Sequence, residues 1–269
     1  MLYIIYIYDI LQKYSVIVDM HIIVNFIINK IIRKNIYLYI FFIFIYKRFA
    51  NLFLFIEKDS YSFIKNSRIY NIVDVGSNHF QIAKIILSLC KNKRIKIFSF
   101  DPITQDDFVT PKNVIFYNYA LADKERWSYL YIPYYKHYKL DSLSSFYKKN
   151  INRYIKEYFP HLIKKIFFEF KKVQLKKLDD LNIKFQFIKI DTEGYELPII
   201  KGAIKSIKKN NPIIYLEVNE NFNKIEKILS RIGYQKYLYS NESKKFIRIK
   251  ELKNNFNDVF FLNKDSLLL

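Results

Sequence analysis

Glycine is the residue that most constrains this sequence, because only four glycines occur among its 269 residues. Two of them follow apolar runs that are typical of buried strands: Gly76 comes shortly after residues 69–73, and Gly194 comes shortly after residues 185–188. Glycine is needed where the backbone takes a positive φ or passes close to a ligand. The placement therefore predicts two strand-ending turns that help to form a functional site.

Composition indicates one ordinary domain with a sizeable core, since 51% of the residues are hydrophobic. The chain carries 45 Lys and Arg against 25 Asp and Glu, a net charge of +20. Such a charge has two explanations: an anionic partner, or a codon bias that enriches Lys, Asn, Ile, Phe and Tyr together. No basic stretch has the spacing of a known nucleic-acid-binding module, so nucleic acid is not an expected partner.

Cysteine and histidine exclude two classes of site. Cys90 is the single cysteine, so no intrachain disulfide can form, which fits a reducing, cytoplasmic location. The four histidines are scattered through the sequence without the spacing of metal ligands.

The N-terminal segment, residues 1–60, is crowded with Ile, Phe and Tyr. Its longest run without a formal charge, residues 35–46, is 12 residues long, whereas a membrane-spanning helix needs about 20 apolar residues. The start lacks the pattern of a secretory signal. Three alternatives stay open: helices packed on the core, peripheral membrane contact through residues 1–56, and a marginal anchor. We favour packing or interfacial contact over a true span.

From about residue 68 to residue 265, short apolar runs alternate with amphipathic stretches. This alternation predicts an α/β domain with a doubly wound, mostly parallel sheet of seven strands and ligands at the carboxyl ends of the strands. The last two strands have no helix between them and can pair as a hairpin. The predicted strands are residues 69–75, 94–100, 113–118, 184–190, 212–218, 234–239 and 257–262; the predicted helices are residues 79–91, 197–209 and 221–232.

An insertion at residues 127–172 interrupts this alternation. Residues 127–133 are predicted to form an extra strand, and residues 145–172 a helical stretch rich in Lys, Tyr and Phe. Insertions at the ligand end of such a sheet often carry specificity. The alternative is that this one only covers the core.

Residues 74–78, with the sequence DVGSN, form the first candidate motif for ligand binding. The strand ends, the chain turns and a helix is predicted near His79, so backbone N–H groups can face a ligand. This is not the G-x-G-x-x-G pattern of dinucleotide binding, which argues against a nicotinamide-dependent dehydrogenase. One glycine flanked by Asp and Asn suits a cation with polar ends, such as S-adenosylmethionine.

Acidic residues follow two further predicted strands. Asp101 ends the strand after the first motif, where a carboxylate can accept hydrogen bonds from both hydroxyls of a ribose; the alternative is a turn residue before Pro102. Asp191, Glu193 and Glu196 crowd the end of another apolar strand. Like charges placed so closely are costly unless they bind something or share protons.

Taken in order, these motifs resemble the FkbM family of S-adenosylmethionine-dependent methyltransferases. The resemblance covers residues 71–262 and implies a class I, Rossmann-like methyltransferase fold with an added hydrophobic N-terminal helical segment. Two departures stand out: Phe80 replaces a second glycine, which would narrow the cofactor pocket, and Asp101 replaces the usual Glu. The motifs are residues 74–78, 100–102, 118–121, 178–181, 188–196, 201–203, 212–217 and 232–234.

The resemblance implies methyl transfer to a hydroxyl group of a sugar, glycan or secondary metabolite. We expect Asp191 to be the general base, Glu193 to be the second candidate, and Glu217 to hold the acceptor. A divalent cation on Asp191 and Glu193 is left open. The expected contacts of the S-adenosyl-L-methionine cofactor are Asp74, Gly76, Asn78 and Asp101, with Asn118 near the adenine.

Two rival functions are kept, the first of them from a different class. The first is a non-catalytic protein that keeps the fold and docks on a membrane or a glycan-assembly complex through its basic surface, with Phe80 blocking the pocket. The second is an RNA methyltransferase, which only the net charge suggests.

Overall fold

The computed structural model describes residues 35–38, 40, 60–103, 109–252 and 258–268. The chain divides into two compact units, Met1–Phe49 and Ala50–Leu269. In the first unit, residues 36–38 are helical, and the other expectations for residues 1–59 lie outside the described residues. In the described part of the chain, no helix is long and apolar enough to cross a membrane.

Twelve strands and five α-helices make up the described part of the second unit. The strands are β1 (Asn71–Val75), β2 (Lys96–Phe100), β3 (Val114–Tyr117), β4 (Ala120–Leu121), β5 (Arg126–Tyr135), β6 (Tyr138–Lys139), β7 (Ile166–Lys176), β8 (Phe187–Ile190), β9 (Ile213–Glu217), β10 (Gln235–Ser240), β11 (Lys245–Arg248) and β12 (Asp258–Leu262). The helices are α1 (Gln81–Leu89), α2 (Lys148–Tyr158), α3 (Glu196–Lys201), α4 (Ile204–Asn210) and α5 (Phe222–Ser230).

The main sheet has eight strands in the order β11-β10-β12-β9-β8-β1-β2-β3. The five strands from β9 to β3 are parallel, and β12, β10 and β11 are antiparallel to their neighbours. The seven predicted strands are all present, and the pairing of the last two is confirmed as β10 with β12. The eighth strand, β11, was not predicted; it forms the hairpin with β10.

Burial on both faces explains why the central strands are almost wholly apolar. All four residues of β8 are buried, as expected for a parallel sheet covered on both sides. Side chains alternate between the faces: Val73 belongs to one hydrophobic cluster and Ile72 to the other. The predicted helix at 197–209 is interrupted at residues 202–203, which separate α3 from α4.

The insertion forms a second sheet of four strands in the order β4-β7-β5-β6. The predicted strand at 127–133 is confirmed as part of β5. The helical prediction for 145–172 holds only for its first half, because β7 pairs with β5 along its whole length. The run from Phe167 to Leu175 is rich in aromatic residues, and Val173 and Leu175 are buried two residues apart, which is the period of a strand.

Phe80 lies in a backbone segment that usually favours glycine. Asn78, His79 and Phe80 have φ values of 26°, 58° and 57°, and such left-handed conformations are strained for residues with a Cβ. The Phe80 side chain is only 3% exposed, and its ring packs edge-on against Phe116 with centroids 5.3 Å apart. Ring burial therefore offsets the backbone strain at the position where the resemblance implies a glycine.

Replacing Phe80 by alanine tests this balance. The variant keeps the left-handed backbone strain and loses the buried ring, so we expect the free energy of unfolding to fall by about 3–5 kcal/mol in urea denaturation. Phe170→Ala is the matched control, because the Phe170 side chain is 58% exposed and its loss should cost about 1 kcal/mol or less. Equal losses in the two variants would contradict the stabilising role of Phe80.

Candidate functional site

A cavity opens at the carboxyl ends of β1, β2 and β8, where the resemblance placed the cofactor. Its volume is about 780 Å³ when the part that is open to solvent is included. Gly76, Asn78 and Asp101 line one side, and Asp191 and Glu193 line another. Five of the eight predicted site residues thus line the same cavity.

The loop after β1 is pressed between β2 and β8. Gly76 has φ +77°, and a Cβ built there would lie 1.9 Å from the backbone oxygen of Asp191. Its N–H donates to the carbonyl oxygen of Phe100 at 2.9 Å. Only glycine fits this conformation and this close approach, so the turn fixes the floor of the cavity.

Asp101 is the buried carboxylate of the cavity. Its Oδ2 accepts a hydrogen bond from the Asn78 N–H at 3.0 Å, and its Oδ1 accepts one from the Ile103 N–H at 2.8 Å. Burial raises the pKa of Asp101 to about 6, although these two hydrogen bonds act in the opposite direction. Each oxygen retains a lone pair that can accept a hydrogen bond from a ligand hydroxyl.

Asp74 lies behind the loop and is not among the described residues that line the cavity. It is completely buried, and this burial raises its pKa, while the charge of Lys189 acts in the opposite direction. The Lys189 Nζ lies 3.9 Å from Asp74 Oδ1 and 3.3 Å from Asp191 Oδ2, and it donates to the Gly76 carbonyl at 3.1 Å. The role of Asp74 in cofactor binding therefore stays a prediction.

The loop after β8 is held by the insertion. Glu193 has φ 55° and Gly194 has φ 99°. The Glu193 carbonyl accepts hydrogen bonds from Ser145 Oγ at 2.9 Å and from Asn150 Nδ2 at 3.0 Å. A Cβ at Gly194 would lie 2.0 Å from that amide nitrogen, so glycine is required for the insertion to dock here.

Glu196 fixes the same loop from the core side. It is fully buried, and its Oε1 accepts the Thr192 N–H at 2.8 Å, the Thr192 hydroxyl at 2.9 Å and the Gly194 N–H at 3.2 Å. Its Oε2 accepts a short hydrogen bond from the Asn219 side-chain amide. The Glu196 carboxylate therefore holds the loop in shape. Of the three carboxylates after β8, only Asp191 and Glu193 line the cavity and are candidates for the general base.

Glu217 and Asn118 are outside the set of described residues that line the cavity. Glu217 ends β9, where burial and the neighbouring carboxylates of Asp191 and Glu193 raise its pKa. Asn118 follows β3 and is exposed, while Ala120 forms part of the cavity wall nearby in sequence. Their roles in holding the acceptor and the adenine stay predictions.

Sequence reasoning did not identify the contact between His79 and Asp141. His79 Nε2 and Asp141 Oδ2 lie 3.3 Å apart, and both side chains are nearly nine-tenths buried. Asp141 belongs to the insertion and lines the cavity. The pair joins residues 62 positions apart in sequence, so no local signal could reveal it.

Metal binding gains no support in the described part of the chain. No group of three or more His, Cys, Asp or Glu residues there could hold a metal ion. A divalent cation on Asp191 and Glu193 therefore stays an untested possibility.

The sheet order is that of the class I methyltransferase fold. Residues 70–237 match the family described as the methyltransferase FkbM domain. This match spans more than half of the chain, so the protein belongs to the FkbM methyltransferase family, as its motifs predicted.

Solved structures with a similar chain path include three methyltransferases. An FkbM methyltransferase from Methylobacillus flagellatus has 14% identity and a TM-score of 0.41; the match covers 71% of this chain and 43% of that one, less than half of its length. A putative ribosomal RNA methyltransferase from Plasmodium falciparum has 12% identity and a TM-score of 0.38; the match covers 78% of this chain and 93% of that one. An S-adenosylmethionine-dependent O-methyltransferase from Thermotoga maritima has 8% identity and a TM-score of 0.34; the match covers 77% of this chain and 64% of that one. No curated protein matches this chain.

S-adenosylmethionine is the cofactor that the family implies, and the cavity lining fits it. Phe100, Ile103 and Leu121 supply an apolar wall for a nucleobase. Asp101 supplies acceptors for the ribose hydroxyls. The Phe80 ring is not among the described lining residues and packs against Phe116.

Asp101 should make stability depend on pH in a defined direction. Its pKa is 3.8 in an unperturbed chain and about 6 in the fold, so the folded state binds the proton more tightly between these values. The contribution of Asp101 to stability is therefore greatest below pH 4 and is lost as pH rises through 6, by on the order of 2–3 kcal/mol.

The comparison of wild type with Asp101→Asn isolates this contribution from those of other carboxylates. We expect the gain in unfolding free energy on going from about pH 7 to about pH 4.5 to be larger in wild type than in the variant, by on the order of 2 kcal/mol. Urea denaturation at both pH values measures it. An equal gain in the two proteins would show that Asp101 titrates normally.

Proposed function

We propose that this protein methylates a hydroxyl group of a small-molecule or glycan acceptor, such as a sugar or a secondary metabolite. The observation that carries the proposal is the cavity, which brings Asp101 on the cofactor side together with Asp191 and Glu193. S-adenosylmethionine supplies, when bound, an electrophilic methyl group on a sulfonium. The chain must then orient the acceptor hydroxyl and take its proton.

Asp191 is the proposed general base. Its side chain is 44% exposed, so an acceptor hydroxyl can reach it, and its Oδ2 is held 3.3 Å from Lys189 Nζ. Its backbone N–H donates to the Val75 carbonyl at 3.2 Å, which ties β8 to β1 at the cavity. The Asp191 carboxylate is therefore held in a fixed position, from which it can accept the proton of an acceptor hydroxyl. Glu193, two residues further along the cavity wall, is the alternative base.

The insertion supports a small polar acceptor. Its cavity-lining residues include the carboxylate of Asp141, the hydroxyls of Ser142 and Ser144, and the ring of Phe146. Hydrogen-bonding groups around one aromatic ring suit a hydroxyl-rich molecule of limited size. The non-catalytic alternative relied on a blocked pocket, and the Phe80 ring lies against Phe116 instead.

Calorimetric titration with S-adenosylmethionine and S-adenosylhomocysteine tests cofactor binding. Wild type should bind both, and Asp101→Ala should weaken binding by about 1–3 kcal/mol through lost ribose hydrogen bonds. Asp180→Asn is the control, because this exposed carboxylate pairs with Lys177 and lies outside the cavity lining. Folded wild type that binds neither compound would overturn the proposal.

A turnover assay tests the base, once a screen of sugars and secondary metabolites with labelled cofactor has identified an acceptor. Asp191→Asn keeps the side-chain shape but cannot take the proton, so we expect it to lose most turnover while its S-adenosylhomocysteine affinity stays within about threefold of wild type. Glu193→Gln should retain more turnover than Asp191→Asn. Wild-type turnover in Asp191→Asn would reject this assignment and favour Glu193.

A further inference from the structure

The outward face of the second sheet carries a contiguous set of rings. Along β5 and β7 the register pairs Tyr131 with Phe170 and Pro133 with Phe168. Because side chains alternate between the two faces of a strand, these residues share one face with two further rings on β5. We call this set the aromatic face; it consists of Trp127, Tyr129, Tyr131, Phe168 and Phe170.

Three of these rings are largely exposed: Trp127 by 61%, Tyr129 by 56% and Phe170 by 58%. The intervening residues on the opposite face, such as Leu130 and Val173, are buried in the core. Single exposed apolar side chains are common on soluble proteins, whereas a contiguous exposed patch of rings marks an interaction surface.

The charge around this face is strongly positive. Lys172 Nζ lies 5.3 Å from the centroid of the Trp127 ring, and Lys148 Nζ lies 4.7 Å from that of Phe168. Residues 126–176 contain 12 Lys and Arg but only three Asp and Glu. On β7 itself the acidic residue Glu169 lies on the opposite face, where it accepts a hydrogen bond from the Tyr134 hydroxyl at 2.7 Å. On these two strands, therefore, no carboxylate on the aromatic face would repel an anionic partner.

The aromatic face combines rings that have a polar tip with rings that lack one. Trp127 pairs with Gln174, Tyr129 pairs with Lys172, and Tyr131 pairs with Phe170. Trp and Tyr, with an apolar ring and a polar tip, are the residues that occupy the headgroup level of a bilayer. Phe lacks a polar tip and suits the deeper acyl region.

From these exposed rings and this charge we infer that the aromatic face docks on an anionic lipid bilayer. The exposed Phe170 ring enters the interface, Trp127 and Tyr129 stay among the headgroups, and the lysines neutralise lipid charge. Single-stranded nucleic acid would also find rings and lysines here. The bilayer is favoured, because no basic stretch of the sequence has the spacing of a nucleic-acid-binding module.

Trp127 reports on this contact directly, since it is the only tryptophan in the chain. The full chain is mixed with vesicles of phosphatidylcholine, or of phosphatidylcholine and phosphatidylserine at about 7:3. We expect a blue shift of the tryptophan emission and reduced acrylamide quenching with the anionic vesicles only. Vesicle flotation of the same samples shows whether the protein is bound.

Two substitutions that keep the tryptophan complete the test. Phe170→Ser and Lys172→Glu should each lower the partition coefficient for anionic vesicles roughly tenfold. The controls are Ile247→Ser, which removes an exposed apolar side chain from the main sheet, and Lys227→Glu on exposed α5 surface; both should partition as wild type does.

Three results would overturn the inference. The first is flotation with anionic vesicles without a change in Trp127 emission, which would place the contact on another surface. The second is the absence of flotation by folded protein. The third is a change in Trp127 emission with single-stranded RNA and none with vesicles, which would assign the face to nucleic acid. Cofactor titration of the same samples keeps these results separate from the proposed methyltransferase activity.

Discussion

The buried ammonium of Lys189 is the interaction on which the functional end of the sheet depends. It lies between the completely buried carboxylate of Asp74 and the cavity-lining carboxylate of Asp191, and it also holds the carbonyl of Gly76. A buried charge is costly unless a partner of opposite sign and hydrogen bonds compensate for it. Lys189 donates a hydrogen bond to the Gly76 carbonyl and lies 3.3 Å from Asp191 Oδ2, so the turn after β1 and the start of the loop after β8 are fixed relative to each other.

The insertion is part of the site rather than a cover over the core. Its Ser145 and Asn150 hold the Glu193 carbonyl, and Gly194 leaves the space that Asn150 occupies. Glu196 holds the same loop from the opposite side. The loop that carries both candidate bases is thus clamped between the insertion and the core. Ser145 also pairs with Tyr131 of β5, so the geometry of the loop depends on the correct folding of a strand that is far from it in sequence.

The sequence predicted what depends on local pattern. Seven strands of the main sheet follow from apolar runs, and Gly76, Asp101 and Asp191 follow from their positions after such runs. The prediction was wrong for β7, because its regularly spaced lysines and aromatic residues also fit a helix, and only the pairing with β5 selects the strand. The pair of His79 and Asp141 depends on tertiary contact and has no local pattern. Lys189 did have a signal, a lone charge within an otherwise apolar strand.

The aromatic face and the cavity are connected through a single layer of structure. Leu130 lines the cavity and lies on β5 between Tyr129 and Tyr131, whose rings belong to the opposite face of the same sheet. A surface that holds a bilayer would therefore act on the strand that forms one wall of the cavity. Side-chain packing transmits small shifts through such a layer, because protein interiors contain few voids that could absorb them. Docking and acceptor binding would then influence each other through β5, since any displacement of this strand moves both faces together.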